Sequence, residues 1–276
     1  MNIEQKLGVI LGIAAFFTLG LQLPAVANPG YKPFEPFERT ETKDYWIQVE
    51  AGPVSSNLDG SFLLNRDKGD TDVDLSGALN LSDDRNGRAR IQLQFPLTDS
   101  TVRLGYYGIE YEETTQLDTD ITVDGETFSA SDQIDSLLRM DTYEVGFKQD
   151  IISTDMVSIA AMLQVNAVDF KARIDNETTG ETVTEKAWIP IPYPGLRAEF
   201  FPIPWIGVYG EARGMTGSCS GVEFDSSDLE AGLQLNLNPN YDVRVGYRRF
   251  NYGVSFDETE LDLTSDGPYA VIALRF

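Results

Sequence analysis

The chain has 276 residues, 44 acidic residues against 21 Lys and Arg, a net charge of −23 and no histidine. That balance excludes the basic footprint nucleic-acid binding needs. Without an imidazole, the usual general base or activator of a nucleophile is missing, and hydrolase, acyltransferase or protease chemistry is not expected. The acids that could replace it are strung along the chain with no spacing that singles out a pair.

In chain order, residues 1–27 read as a signal peptide. Lys6 precedes an apolar run from Leu7 to Leu23, and Ala25, Val26 and Ala27 supply small residues for cleavage. The run is long for a signal core, so a retained single-span anchor is the alternative. The Pro- and charge-rich stretch 28–43 is a lead-in, and 44–276 is long enough for one domain. No later stretch could form another membrane helix, so insertion of the mature chain would require a closed sheet.

From Tyr45 the period is two. Tyr45, Ile47, Val49 and Ala51 share a face opposite Trp46, Gln48 and Glu50. Ala89, Ile91, Leu93 and Phe95 oppose Arg88, Arg90, Gln92 and Gln94, and Leu229 to Leu237 repeat the alternation. Ten strands are predicted, at about 45–56, 86–97, 101–115, 137–150, 156–170, 187–201, 205–215, 227–238, 241–256 and 267–276, with eight as the rival count. Four short connections, near 97–101, 152–156, 202–205 and 238–241, alternate with long polar segments.

Residues 61–82 are ambiguous: extensions of the first two strands, or an extra hairpin. Pro190, Pro192 and Pro194 deplete ladder donors and are expected at the upper end of a strand or its loop approach. Face breaks at Tyr106-Tyr107 and at Arg248-Arg249-Phe250 suggest β-bulges. Cys219, the single cysteine, falls in a Gly/Ser-rich loop as a free thiol.

The predicted loops hold most of the acidic residues and few of the cations. The strands carry the charges of the polar face: Arg88, Arg90, Arg103, Arg197, Arg244, Arg248 and Arg275 with Glu50, Glu144, Glu199, Glu211, Glu230 and Asp242. In a narrow barrel these either pair across the interior as a plug or line a thin water path. Asp70, Asp72 and Asp74 share a face if extended and are candidate ligands for a divalent cation, although a solvated acidic loop accounts for them as well. Aromatics at strand ends (Tyr45, Trp46, Trp188, Trp205, Tyr241, Phe276) suit interfacial girdles.

The phrases LGYYGIEY (104–111), VRVGYRRF (243–250) and the final GPYAVIALRF (267–276), with the hairpin asymmetry, give a chain that resembles the small Gram-negative outer-membrane β-barrel families, of OmpA-type and OmpW-type architecture. The resemblance implies an all-β fold: a single antiparallel up-and-down transmembrane β-barrel with short periplasmic turns and long acidic extracellular loops. It also implies an outer-membrane address, contact with lipid and lipopolysaccharide, and recognition by the barrel-assembly machinery through Tyr269, Ile272, Leu274 and Phe276. No peptidoglycan-binding domain is read after the barrel. No cofactor is expected; divalent cations at the loops are possible partners. The expected function is non-enzymatic, a narrow porin-like channel for ions or small solutes. The alternative is a plugged barrel with a structural, adhesive or cation-binding role, and a soluble periplasmic β-protein is a third reading.

Overall fold

The computed structural model describes residues 47–63, 69–81, 83–95, 100–219, 222–238, 240–256 and 259–276. The expected signal peptide and lead-in, with Tyr45 and Trp46, lie outside them. Ten long antiparallel strands form a closed up-and-down barrel. They are β1 (Ile47–Leu63), β3 (Asp83–Phe95), β4 (Ser100–Gln116), β7 (Gln133–Ser153), β8 (Val157–Asn176), β9 (Thr182–Ile203), β10 (Ile206–Cys219), β11 (Val222–Asn238), β12 (Tyr241–Phe256) and β13 (Thr259–Arg275). β13 closes on β1, with Gln48 opposite Arg275 and Leu63 opposite Glu260. At the lower rim Phe276 N donates to Ile47 O at 2.9 Å, which ties the last residue into the seam.

The ambiguous 61–82 region resolves as an extension of β1 plus β2 (Val73–Asp74), which pairs with Ser61 and Phe62. A second small hairpin, β5 (Ile121–Val123) and β6 (Glu126–Phe128), forms a sheet of its own. Asp124 and Gly125 turn it with φ of 51° and 80°, the left-handed pair that a two-residue hairpin requires.

Most strands run well past their predicted upper ends. Residues 171–176 and 182–186, predicted loop, are ladder in β8 and β9, and Cys219 ends β10 opposite Val222 instead of sitting in a loop. The reason is a change of surroundings along each strand. On the lower part, apolar residues face outward: Ile91, Leu104, Val145, Leu196, Leu233 and Ile272 are among the most exposed side chains. Higher up the chemistry inverts while the geometry continues. On β8 the inward residues change from Gln164 and Asn166 to Val168, Phe170 and Ile174, and the outward ones from Val165 and Ala167 to Asp169 and Lys171. β12 does the same, with Arg244 and Arg248 inside below, then Phe250, Tyr252 and Val254. An outward apolar band fits hydrocarbon, and an inward apolar set fits a protein core surrounded by water.

This inversion accounts for the two expected bulges. Pairing is continuous through Tyr106-Tyr107 and through 248–250; the face pattern breaks there because the membrane ends. Irregular register falls elsewhere, at 150/152, 206/208 and 236/238. Trp188 faces outward opposite Asp169, and Tyr106 and Tyr143 pack with tilted rings, centroids 5.6 Å apart, as a ring at the upper boundary. The upper interior is closed by loop residues: Leu75, Leu79 and Phe128 are fully buried against the strand-borne apolar set. Each large apolar side chain buried there contributes about 1.5–3 kcal/mol.

Candidate functional site

Below the apolar core, the interior is a layer of ion pairs built by the inward positions of the strands. Glu50 on β1 accepts from Arg90 at 3.0 Å, Arg88 at 3.4 Å and Arg244 at 2.9 Å. Arg88 reaches across to Glu230 on β11 at 2.8 Å, and Arg103 on β4 reaches Glu211 on β10 at 3.2 Å. Arg90 also holds Glu144 at 3.1 Å. Arg197 bridges Glu199 at 2.7 Å and Glu211 at 2.8 Å. Near the lower rim Asp242 pairs with Arg244 at 3.1 Å and with Arg275.

Every charged interior residue singled out in the sequence therefore falls inside the barrel, and two further residues belong with them. Arg213 donates to Asp228 at 2.5 Å and to Gln164 at 2.6 Å, and Arg248 donates to Asp228 at 2.8 Å. The alternation of β10 and β11 carried the signal for both: each lies two residues from a residue that was singled out, Glu211 and Glu230. Aromatic faces add to the packing, with Arg248 4.6 Å from the Tyr107 ring and Arg197 4.8 Å from that of Tyr209.

Almost all of these side chains are buried; Arg90 is 2% exposed and Glu50 1%. Charges this deep persist only when paired and hydrogen-bonded, and losing one partner costs about 3–5 kcal/mol. The pairs Arg88–Glu230 and Arg103–Glu211 join opposite walls, so the layer ties the barrel across its bore.

The three loop aspartates do not form a metal centre. Asp70 accepts from the Asp124 and Gly125 amides at 2.6 and 2.9 Å, which docks the β5–β6 turn. Asp74 accepts from the Ser76 and Gly77 amides at 3.0 and 2.8 Å. The expected shared face required an extended run, and only 73–74 is strand. Among the described residues no group of three acidic, His or Cys side chains is placed to hold a metal. Of the terminal residues, Ile272 and Phe276 point outward, whereas Tyr269 points inward and donates to Glu230 at 2.7 Å.

No protein-family model and no curated protein matches the chain. Solved structures do. The outer membrane protease OmpT of Escherichia coli is similar with a TM-score of 0.54 at 11% identity, over 83% of this chain and 97% of that one. Ail of Yersinia pestis, an attachment invasion locus protein, matches at 14% identity and TM-score 0.33, over 81% and 98%. The toluene transporter TodX of Pseudomonas putida matches at 10% and 0.36, over 84% and 90%. At these identities the likeness concerns the fold, which is that of outer-membrane β-barrels.

Proposed function

We propose that this protein is a non-enzymatic outer-membrane barrel, plugged across its bore, that works through the acidic surface it raises above the bilayer. The observation that carries this reading is the wall-to-wall pairing of Arg88 with Glu230 and Arg103 with Glu211 beneath an apolar core. An ion entering from above meets buried hydrocarbon before it meets charge, and neither layer offers hydration. The interior acids are held by arginines and are not arranged as an acid–base pair, which supports a structural role for them. Outer-leaflet lipid and lipopolysaccharide are the surroundings this surface implies, and the last strand, with Phe276 hydrogen-bonded into the seam, suits recognition by the assembly machinery. Divalent cations at the loops would act by bridging to lipopolysaccharide phosphates.

The test is conductance in planar bilayers. The purified, heat-modifiable protein is expected to insert silently; reproducible unitary steps at low voltage would overturn the plug. A narrow channel for ions or small solutes is the second reading. It is favoured by Arg103 Nε and Arg248 Nη1, buried donors with no hydrogen-bond partner, where a water thread could run.

A further inference from the structure

One ladder of the barrel stops inside the membrane. β8 pairs with β9 as far as Asp175 opposite Thr182, and β10 pairs with β11 up to Cys219 opposite Val222. Between β9 and β10, pairing ends at Gly195 opposite Arg213, although both strands continue upward. The β3–β4 ladder also stops early, at Gly87–Gly108, but that point lies above Tyr106, where the outer face is already in water. The β9–β10 parting begins below Trp188. Its β9 margin carries Pro194, Pro192 and Pro190, whose β8 neighbours Leu163, Val165 and Ala167 belong to the outward apolar band.

The prolines explain the parting. Phe201 N donates to Met156 O on the β8 side. Amides alternate sides along a strand, so the odd positions of β9 bond to β8 and the even ones face β10. Pro190, Pro192 and Pro194 are even, and each removes a donor from the β10 side. Such residues belong to an edge that is kept from pairing.

Behind the parting lie three buried hydroxyls with hydrogen-bonding capacity to spare. Continuing the register places Tyr193 level with Met215, which pairs with Ser226, which pairs with Tyr252. The Tyr193 hydroxyl faces that of Ser226, and Tyr252 lies beside Tyr193. All three side chains are buried, and none has a hydrogen-bond partner outside this trio. Below the parting, an open lipid-facing furrow of about 490 Å³ crosses from β9 to β12, lined by Leu196, Ala198, Ala212, Leu229 and Tyr247, with Arg249 at one rim. Gly210 and three alanines, Ala198, Ala212 and Ala231, form its shallow floor.

From this geometry we propose that the β9–β10 parting is a lateral port for a fatty-acid-type amphiphile of the outer leaflet. Its alkyl chain lies in the furrow, in the leaflet's own orientation. Its compact carboxylate passes between the strands and accepts from the Tyr193, Ser226 and Tyr252 hydroxyls. This reading does not depend on the plug: a conducting barrel would leave it standing.

The test uses the full chain in proteoliposomes with a diazirine-bearing palmitate and unlabelled palmitate as competitor. Saturable labelling is expected on peptides carrying Met215 and Tyr193, which face inward. Replacing the prolines (Pro190→Thr, Pro192→Val, Pro194→Thr) restores three donors, and is expected to slow amide exchange over 214–219 and abolish the inward label. If exchange does not slow, a Pro192→Cys/Thr216→Cys disulfide in a Cys219→Ser background closes the parting instead. Tyr193→Phe with Tyr252→Phe should weaken competition by about tenfold, the effect of losing hydrogen bonds to a charged group. Heat-modifiable migration verifies folding throughout. No saturable inward label in the parent protein, or a label that persists once the parting is closed, would overturn the port.

Discussion

At the scale of single residues, Glu50 is the hub of the interior, since three arginines converge on it. Glu50→Gln leaves those cations buried with a neutral acceptor. We expect a loss of about 3–5 kcal/mol, read as a lower urea midpoint for the folded, heat-modifiable form. Asp262 behaves in the opposite sense. It stands on the outer face of β13 above the tyrosine ring, and partial burial together with Glu260, Asp72 and Asp225 raises its carboxyl above the usual range. The folded chain thus binds that proton more tightly than the unfolded one. Its stabilising effect is complete below the ordinary carboxyl range and is lost as pH rises through the raised value. Asp262→Asn should therefore stabilise the barrel at neutral pH and change little in acid, which paired melting curves would reveal. Individual inward charges were legible because alternation alone assigns a face. Arg213 and Asp228 could have been found by the same counting.

Among the elements, the lower halves of the strands were readable and the upper halves were not. A period-two pattern says which residues share a face, but not which face meets water. Where Gln164 and Asn166 give way to Val168 and Phe170, the inside passes from polar to apolar, and a reader expecting one rule per strand sees a loop or a bulge. The prolines of β9 were misplaced for a related reason: a strand interior is hostile to proline only when both its edges are paired. The β5–β6 hairpin also escaped the sequence reading, because its docking is long-range: Asp70 accepts two amides from its turn, Thr71 exchanges hydrogen bonds with Thr122, and Ile121, Val123 and Phe128 are buried in the core. Asp70→Ala should loosen the turn of that hairpin. Limited proteolysis would then cut between 117 and 132 while the heat-modifiable barrel persists, and chelation of divalent cations should leave the parent digest unchanged. A digest that becomes sensitive on chelation would restore a cation role for the loop aspartates.

For the molecule as a whole, the closed wall, the ionic layer and the apolar layer above it are coupled. Removing acids from the layer should unbalance it toward the arginines: Glu144→Ala with Glu211→Ala is expected to admit water and give a small conductance that prefers anions, measured as a reversal potential across a salt gradient. A silent double mutant that still folds would mean the apolar layer alone seals the bore. One further consequence follows from ladders that outlast the hydrocarbon. The ribbon of β8 and β9 continues from Val168 to Asn176, roughly 20 Å of rise once tilt is allowed for. The carboxylates therefore stand on a stiff post instead of hanging from slack chain. A post of that height would hold them at fixed spacing, clear of the bilayer, before whatever arrives from outside.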